Sequence, residues 1–283
     1  MNRRRFLKRT GLAAVGGAFA GGIYPFLEAR WCHVTPQTVV LPNLPEPFDG
    51  TTIALLSDIH HGPYVPLSYI RHAVEMTNSL RPDLIALTGD LVYRDPSYIA
   101  PGVAALEKLE ARSGRYAVLG NHDNWESRPL SIAALNASGF ERIDNRGVWL
   151  ERKGARLRIC GVGDLWTDIQ DPLFAIGDAT ANDPVVMLSH NPDFAERLAD
   201  DRVGLMLSGH THGGQVVIPG YGAPIVPSAY GQKYVYGLTQ GPRCQVFTTR
   251  GVGTVSPPVR VLCRPEIVLI TLKSPVTSSG RIA

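Results

Sequence analysis

The sequence has few cysteines and no obvious covalent nucleophile. Its four cysteines among 283 residues are Cys32, Cys160, Cys244 and Cys263, and no two of them form a Cys-x-x-Cys pair. This number and spacing exclude a disulfide scaffold. Small buried core side chains are the favoured interpretation, although one disulfide in an oxidising compartment stays open. A Gly-x-Ser-x-Gly motif is also absent, which excludes a serine nucleophile elbow.

The main part of the chain also lacks a surplus of positive charge. The sequence holds 28 Lys and Arg against 25 Asp and Glu, a formal charge of +3, but five of the bases lie in residues 1–27, which contain no acid. The remaining residues therefore hold 23 bases against 25 acids. Because nucleic-acid binding depends on clustered Lys and Arg that neutralise phosphates, we expect no nucleic-acid partner.

The amino terminus lacks the long apolar run of a typical membrane span. Residues 11–27 are uncharged, but they number only 17 and include five glycines and Pro25, which is short and weakly apolar for a transmembrane helix. They follow the basic sequence Arg3-Arg4-Arg5-Phe6-Leu7-Lys8. This order, two arginines and any residue before Phe-Leu-Lys, resembles a twin-arginine export signal.

This resemblance implies that residues 1–29 are an export signal, with a permanent anchor as the alternative. Ala18-Phe19-Ala20 and Leu27-Glu28-Ala29 are both acceptable cleavage sites. We therefore predict that the twin-arginine export machinery carries the folded protein to the periplasm or the extracytoplasmic membrane face, where contact with the membrane surface is open. Behind the signal we expect a connector over residues 30–50, one domain over 51–275 and a tail over 276–283.

Short apolar runs alternate with amphipathic segments from residue 51 onward. The runs cover residues 51–57, 84–88, 116–119, 185–189 and 203–208. Continuous apolar strands of this length predict a sheet buried on both faces, and alternation with helices predicts an α/β protein. Later runs over 215–218, 245–249 and 266–272 lack long helices between them, so we expect them in a second sheet. The connector is expected to add one strand at most, over 33–41.

Each of the five runs ends in a polar cluster. In chain order these clusters are Asp58-Ile59-His60, Gly89-Asp90, Gly120-Asn121-His122-Asp123, Ser189-His190 and Gly209-His210-Thr211-His212. The carboxyl ends of neighbouring strands meet at one crevice in an open α/β sheet. We therefore expect these side chains to lie close together.

The residue types in these clusters predict a centre for two metal ions. Carboxylate, imidazole and amide ligands together favour Mn, Fe or Zn. Alternate residues of an extended chain point the same way, so Asp58 and His60 can bind one ion. His210 and His212 can reach one ion each, and Asp90 can bridge. The flanking glycines permit the tight turns that such a site needs.

The ordered series D-x-H, G-D, G-N-H-[DE], H and G-H-x-H resembles that of the calcineurin-like metallophosphoesterases, and all five blocks are present over residues 58–212. The segment over 250–266 is similar to the membrane-associated bacterial branch of that family. The resemblance implies a four-layer αββα sandwich of two mixed β-sheets flanked by helices. The dimetal site would lie at the carboxyl-terminal ends of the strands.

The resemblance also implies a role for each matching residue. The implied ligands are Asp58, His60 and His212 for the first ion, Asn121, His190 and His210 for the second, and Asp90 as the bridge. His122 would act on the leaving group, with Asp123 as its hydrogen-bonded orienting partner. Tyr93 completes a Gly-Asp-x-x-Tyr block like that of the purple acid phosphatases, where the tyrosine binds iron. Because His60 already serves the first ion, we do not expect Tyr93 to be a ligand.

The implied reaction is phosphoester hydrolysis in which hydroxide on two divalent ions attacks phosphorus in line. The expected substrate is an envelope or lipid-linked phosphodiester or pyrophosphate. The alternatives are a hydrolase of the UDP-2,3-diacylglucosamine type, from glycolipid (lipid A) biosynthesis, and a non-catalytic metal-binding scaffold. The series does not identify the residues that select the substrate. The candidates are Tyr64, Asn124, Trp125 and the segment 219–237, whose four tyrosines form either an aromatic lip or a packed hairpin.

Overall fold

The structure is a computed structural model that describes residues 21–275. Most of the predicted export signal, residues 1–20, and the whole predicted tail, residues 276–283, lie outside the described residues. The described part contains two six-stranded sheets packed face to face, with helices on their outer faces. This arrangement confirms the predicted four-layer α/β sandwich.

The strands and helices are short. In chain order the strands are β1 (His33–Val40), β2 (Thr52–Leu56), β3 (Leu84–Leu87), β4 (Gly114–Ala117), β5 (Glu141–Arg142), β6 (Arg146–Arg152), β7 (Ala155–Gly161), β8 (Val185–Leu188), β9 (Leu205–Ser208), β10 (Gly237–Gln240), β11 (Gln245–Thr248) and β12 (Glu266–Lys273). The helices are α1 (residues 21–28), α2 (Leu67–Ser79), α3 (Ile99–Leu106), α4 (Asn121–Ala137) and α5 (Pro172–Ile176). Single 3-10 turns cover Glu46–Phe48, Pro96–Tyr98, Pro192–Glu196 and His212–Gly214.

Both sheets are mixed. The first has the order β1-β12-β2-β3-β4-β5, and the second has the order β10-β11-β9-β8-β7-β6. In the first sheet β2 to β5 run parallel, and β12 pairs antiparallel with β2. In the second sheet β7, β8, β9 and β11 run parallel, whereas the two edge strands, β6 and β10, are antiparallel to their neighbours. The parallel strands of each sheet bring their carboxyl ends to one edge.

The core explains why the strands are apolar throughout. In β2, Ile53 and Leu55 pack between the two sheets, whereas Ala54 and Leu56 pack under the helices α2 and α3. Successive side chains of a strand point to opposite faces, so a strand covered on both sides must be apolar at every position. On the far side of the second sheet, Phe194 covers the outer face.

Two of the later runs differ from the prediction. The run over 266–272 was expected in the second sheet, but as β12 it lies inside the first sheet between β1 and β2. Its sequence is apolar on both faces, which suits an interior strand. Residues 215–218 form only isolated bridges, Val216 with Val261 and Ile218 with Gly222, instead of a strand. The predicted connector contributes β1, which pairs in parallel with β12.

The hairpin of β6 and β7 was not predicted. Its two-residue loop is Lys153-Gly154, and both residues have positive φ, 50° and 78°. Positive φ at both loop positions matches the right-handed twist of the flanking strands. The cysteines agree with their interpretation as core side chains, because all four are free and Cys160, Cys244 and Cys263 are buried. Among the described residues, no helix has the length and apolar character needed to cross a membrane.

Candidate metal centre

The five predicted polar clusters converge at one edge of the two sheets. The first ligand group consists of Asp58, His60 and His212, whose ligand atoms lie within 4.8 Å of one another. His60 Nε2 is 3.1 Å from His212 Nε2, and His212 Nε2 is 3.4 Å from Asp58 Oδ1. These three residues come from both sheets, since Asp58 and His60 follow β2 and His212 follows β9.

The second ligand group lies beside the first. It contains Asp90, His190 and His210, and His190 Nε2 is 3.1 Å from both His210 Nδ1 and Asn121 Oδ1. Asp90 Oδ2 lies 3.3 Å from His190 Nε2 and 3.4 Å from His60 Nε2. Asp90 is therefore equidistant from the two groups, as a bridging ligand would be.

The donor atoms fit two divalent ions. His60 Nδ1 lies 3.3 Å from the Val92 carbonyl oxygen, and His190 Nδ1 lies 2.7 Å from that of Thr88. When Nδ1 donates a proton to a carbonyl oxygen, Nε2 keeps a lone pair for a metal. Facing imidazole nitrogens 3.1 Å apart have the spacing of two ligands on one ion, because a Zn–N bond is about 2.0–2.1 Å long. The whole set of buried carboxylate, imidazole and amide donors suits such ions.

The ligand residues share an unusual backbone conformation. Among the described residues, five of the twelve non-glycine residues with positive φ are members of this site: Asp58, His60, Asp90, His210 and His212. Positive φ is uncommon for residues with a Cβ, and such strained conformations cluster at functional sites. The prediction that an extended chain aligns Asp58 with His60 is therefore wrong in its geometry. The left-handed turns after the strands bring both side chains to the same point.

Gly209 shows how closely the two sheets approach at the site. A Cβ at this position would collide with Ser57 Oγ and with Asp58 Oδ2. The backbone N–H of His210 donates to both carboxylate oxygens of Asp58, at 3.0 Å each. Only glycine lets the chain after β9 pass this close to the ligand that follows β2.

Burial and neighbouring charges together set the protonation states of these residues. Burial raises the pKa of Asp58 to about 6 and lowers the pKa of His60 and His210 to about 3. For Asp90 the effect of burial is outweighed by His190, which holds the pKa of this carboxyl well below its usual range. The same pair raises the pKa of His190 to about 10 against the effect of burial. Because metal ligands must be deprotonated, an ion bound by His190 would displace this proton.

The structure corrects the predicted role of Asp123. Its carboxylate accepts hydrogen bonds from the backbone N–H groups of Asp90, Leu91 and Gly120, at 2.8–2.9 Å, and not from the His122 ring. Asp123 is the third residue of α4, and its carboxylate bonds back to the N–H of the N-cap residue Gly120, as the N3 residue of a capping box does. Asp123 therefore ties the loop that carries Asp90 to the start of α4.

His122 has a different carboxylate neighbour. Glu126 Oε1, one turn further along α4, lies 3.7 Å from His122 Nδ1. The His122 ring is 20% exposed at the opening of the site and contacts the ring of His60 edge-on, with centroids 4.9 Å apart. The predicted leaving-group residue thus lies beside the first ligand group. Glu126, which the sequence did not indicate, lies within ion-pair distance of its Nδ1.

A loop over residues 250–263 supports the first ligand group from behind. The N–H of Gly253 donates to the Asp58 carbonyl oxygen, at 2.6 Å. The fully buried Arg260 guanidinium donates to the carbonyl oxygens of His212, Arg250, Gly253 and Cys263 at 2.6–3.3 Å. A buried cation needs such partners to offset its desolvation. The sequence analysis did not predict this role of Arg260. A single arginine within the apolar run Val259–Cys263 could have indicated a buried cation.

The same loop contacts the end of α1. The N–H of Arg260 donates to the Pro25 carbonyl oxygen at 2.9 Å, and the N–H of Cys263 donates to Glu28 Oε1 at 2.6 Å. Glu28 is fully buried. Residues 25–28 are therefore part of the packed structure that supports His212.

Two exposed tryptophans form the rim of the site. Trp125 and Trp166 are 56% and 51% exposed, with ring centroids 6.4 Å apart. Trp125 contacts His122 edge-on, and Trp166 contacts His210 edge-on with a centroid distance of 4.3 Å. The sequence analysis missed Trp166 because it did not recognise β7, the strand that precedes this residue. Asp164 and Thr167 follow the apolar run of that strand and could have indicated another segment at the site.

The other substrate candidates take different positions. Asn124 donates from Nδ2 to Thr167 Oγ1 at 2.7 Å, which links α4 to the loop that carries Trp166. Tyr93 accepts a hydrogen bond from the Ser256 N–H at 3.2 Å and packs 6.1 Å from Tyr64. In the segment 219–237, Tyr234 is buried and its hydroxyl bonds to Glu196. This segment is thus packed at Tyr234.

Comparison with known proteins agrees with the geometry. A model of the family described as calcineurin-like phosphoesterase matches residues 51–214. The chain belongs to this family. The phosphoesterase is 34% identical to uncharacterized metallophosphoesterase YkuE of Bacillus subtilis (strain 168), over 97% of this chain and 98% of that protein. It is 33% identical to phosphodiesterase YaeI of Escherichia coli (strain K12), over 96% and 99%.

Membership makes the chain a phosphoric ester hydrolase with two divalent metals. Asp58, His60 and His212 would hold one ion and Asn121, His190 and His210 the other, with Asp90 shared, and the bound ions would supply Lewis acidity and lower the pKa of a bound water. The chain's own groups do the rest. His122, at the opening, would transfer a proton to a departing oxygen, and Glu126 Oε1 lies 3.7 Å from its Nδ1. The two tryptophans border the space that a substrate enters.

Proposed function

We propose that this phosphoesterase hydrolyses phosphodiesters or pyrophosphates of lipid-linked envelope molecules at the extracytoplasmic membrane face, with Mn, Fe or Zn in its site. The observation that carries the proposal is an apolar surface on the side of the metal centre. Phe26, Leu27 and Trp31 are 52%, 63% and 58% exposed. An exposed cluster of large apolar side chains is typical of a membrane or partner contact.

This surface is continuous with the site. Phe26 and Leu27 line a cavity of about 220 Å³ together with Tyr64 and Pro258. Tyr64 packs against Tyr93, whose ring is 5.5 Å from that of His60. A protein lying on a membrane through residues 26–31 would therefore have its metal centre close to the headgroup layer, where the phosphates of lipids lie.

A preference for diesters over monoesters has support from a relative. The printed name of the Escherichia coli relative is phosphodiesterase, and that relative aligns with nearly the full length of this chain. The UDP-2,3-diacylglucosamine type of hydrolase is the second candidate, since it combines a pyrophosphate with acyl chains. An exported location argues against it, because UDP-linked intermediates are cytoplasmic. The scaffold alternative has less support, since every ligand position is occupied by a metal-binding residue.

A substrate panel tests the proposal. Purified protein reconstituted separately with Mn, Fe and Zn is assayed on bis(p-nitrophenyl) phosphate, p-nitrophenyl phosphate, UDP-2,3-diacylglucosamine and vesicles of phosphatidylethanolamine and phosphatidylglycerol. We expect diester turnover at least about tenfold above monoester turnover, and release of phosphate-containing headgroups from vesicles. Turnover of the UDP-sugar alone would favour the second candidate. Absence of turnover on every compound, with two ions bound, would favour the scaffold.

The proposed export is tested through the arginine pair. Replacing Arg3 and Arg4 by Lys keeps the charge of the signal but removes the two residues on which the twin-arginine resemblance depends. We expect the variant to stay in the cytoplasmic fraction, whereas the unchanged chain reaches the periplasmic or membrane fraction. Arg5→Lys with Arg9→Lys is the matched control and should be exported. An unchanged distribution of the Arg3/Arg4 variant would contradict the proposal.

The contacts of α1 bear on where the signal would be cleaved. Of the two acceptable sites, cleavage after Ala29 would remove Glu28, which bonds to Cys263, and Pro25, which bonds to Arg260. Cleavage after Ala20 would leave both contacts in place. We therefore favour the site Ala18-Phe19-Ala20, or retention of the whole segment.

A further inference from the structure

A second depression opens beside the first ligand group. It has a volume of about 470 Å³, within the range of about 300–1,000 Å³ of small-molecule sites. Thr211 and His212 are among its lining residues. We call it the apolar groove, and its main lining residues are Val216, Pro224, Ile225, Pro227, Pro257 and Val259. Because His212 belongs to both, a ligand in the groove would lie close to the first ligand group.

The lining leaves little for a polar ligand to bind. None of the described lining residues is Asp, Glu, Lys or Arg. Gln215, also in the lining, uses its amide within the protein. Its Nε2 donates to the Pro257 carbonyl oxygen, and its Oε1 accepts from Thr254 Oγ1 and the Val255 N–H. Thr211 Oγ1 donates to the Val235 carbonyl oxygen at 2.8 Å. Most of the contacts that the groove offers an occupant are therefore apolar.

Prolines in the lining restrict closure of the groove. Three prolines line it, and their fixed φ restricts the movement of the backbone around them. Ile225 is 80% exposed, so an occupant of the groove would bury apolar surface of its side chain. Burying apolar surface is the main favourable term in such association.

We propose that the apolar groove holds an alkyl or acyl chain attached to one oxygen of the phosphodiester substrate. The proposal rests on the proposed function, because it takes the hydrolysis of a lipid-linked diester as given. It goes further in assigning the chain to the His212 side of the site. Pro257 lines the groove and Pro258 lines the cavity beside Phe26 and Leu27. A chain leaving the groove would thus be directed toward the surface proposed to contact the membrane.

A homologous series of p-nitrophenyl alkyl phosphodiesters, from methyl to octyl, tests this assignment. We expect kcat/KM to rise about fourfold for each added methylene until the groove is filled, as expected for burial of a CH₂ group. Ile225→Asp should flatten this dependence, because a charge would then border the chain, and should therefore lower kcat/KM far more for the octyl ester than for the methyl ester. Leu173→Asp, at an exposed apolar position of α5 outside the groove, is the matched control and should keep the dependence.

A binding measurement separates this proposal from the proposed function. Calorimetric titration of the metal-loaded protein with n-octylphosphonate and with methylphosphonate should show tighter binding of the octyl compound, and Ile225→Asp should remove the difference. If no ester is hydrolysed but the octyl compound still binds more tightly, the proposed function fails. The binding of an alkyl chain in the groove then stands by itself. Hydrolysis with no dependence on chain length, and equal phosphonate binding, would overturn the assignment. So would a dimer that Ile225→Asp dissociates, because the groove would then be an interface.

Discussion

Replacing Asp90 by alanine is expected to reduce diester hydrolysis by roughly 10³-fold or more and to lower the bound metal from two ions per chain to one or none. Asp90 Oδ2 lies within 3.4 Å of a ligand nitrogen in each group, so one substitution weakens both sites. It also removes the negative charge that would hold two cations near one another. Metal analysis of the dialysed protein, with kcat/KM on a diester, is the measurement.

Controls make the Asp90 result specific to the site. Asp95→Ala, in the same loop, removes an exposed carboxylate that only caps a turn through the Ser97 N–H, and it should keep metal and activity. Asn121→Ala should lower occupancy of the second ion alone, since Asn121 Oδ1 lies beside His190 and not beside the first group. Unchanged hydrolysis in both Asp90→Ala and Asn121→Ala would refute the two-metal assignment.

Replacing His122 by alanine is expected to slow hydrolysis by about 10²–10⁴-fold, the usual contribution of a general acid or base, while both metal ions stay bound. His122 borders the ligand groups but is the partly exposed member at the opening, and its backbone N–H, which the variant keeps, donates to Asp90 Oδ1 at 2.8 Å. Measuring metal content together with kcat distinguishes this role from that of a ligand. Loss of both metal and activity would show that His122 binds an ion.

The leaving group provides a second measurement of the His122 role. A p-nitrophenolate leaves readily without a proton, whereas an alkoxide needs one. His122→Ala should therefore cost much more activity on a dialkyl phosphodiester than on a nitrophenyl ester. Glu126→Gln should show the same pattern with a smaller loss, because it keeps the shape of the side chain and removes only the charge 3.7 Å from His122 Nδ1. Equal losses on both esters would contradict proton transfer by His122.

Much of the fold followed from local sequence patterns. The apolar runs ending near Ser57, Thr88, Ser189 and Ser208 lie within a residue or two of observed strands, because a strand covered on both faces must be apolar at each position. The run that became β12 was recognised as a strand but placed in the wrong sheet. Which sheet a strand joins depends on the other strands and helices that cover its two faces. A local sequence pattern does not contain this information.

The partners of side chains were harder to predict than the ligands. Asp123 follows His122 directly and suggested a pair, but its carboxylate bonds to backbone groups near Asp90, whereas Glu126 lies near the His122 ring. On a helix, residues four apart are neighbours and adjacent residues are not. That rule would have indicated Glu126 once the helix over Asn121–Ala137 was known. The helix was not predicted, because Pro129 lies within this segment and proline disfavours a helix interior.

By itself the sequence determined which residue types meet at the ends of the strands, in what order, and that the main part of the chain is near-neutral. These are local properties, readable from apolar runs and the polar clusters behind them. Only the tertiary structure decided that the ligands turn through positive φ, that Arg260 and the end of α1 support His212, and that an apolar groove opens beside it. Each of these depends on contacts between segments far apart in the chain, and such contacts form only when the two sheets pack together.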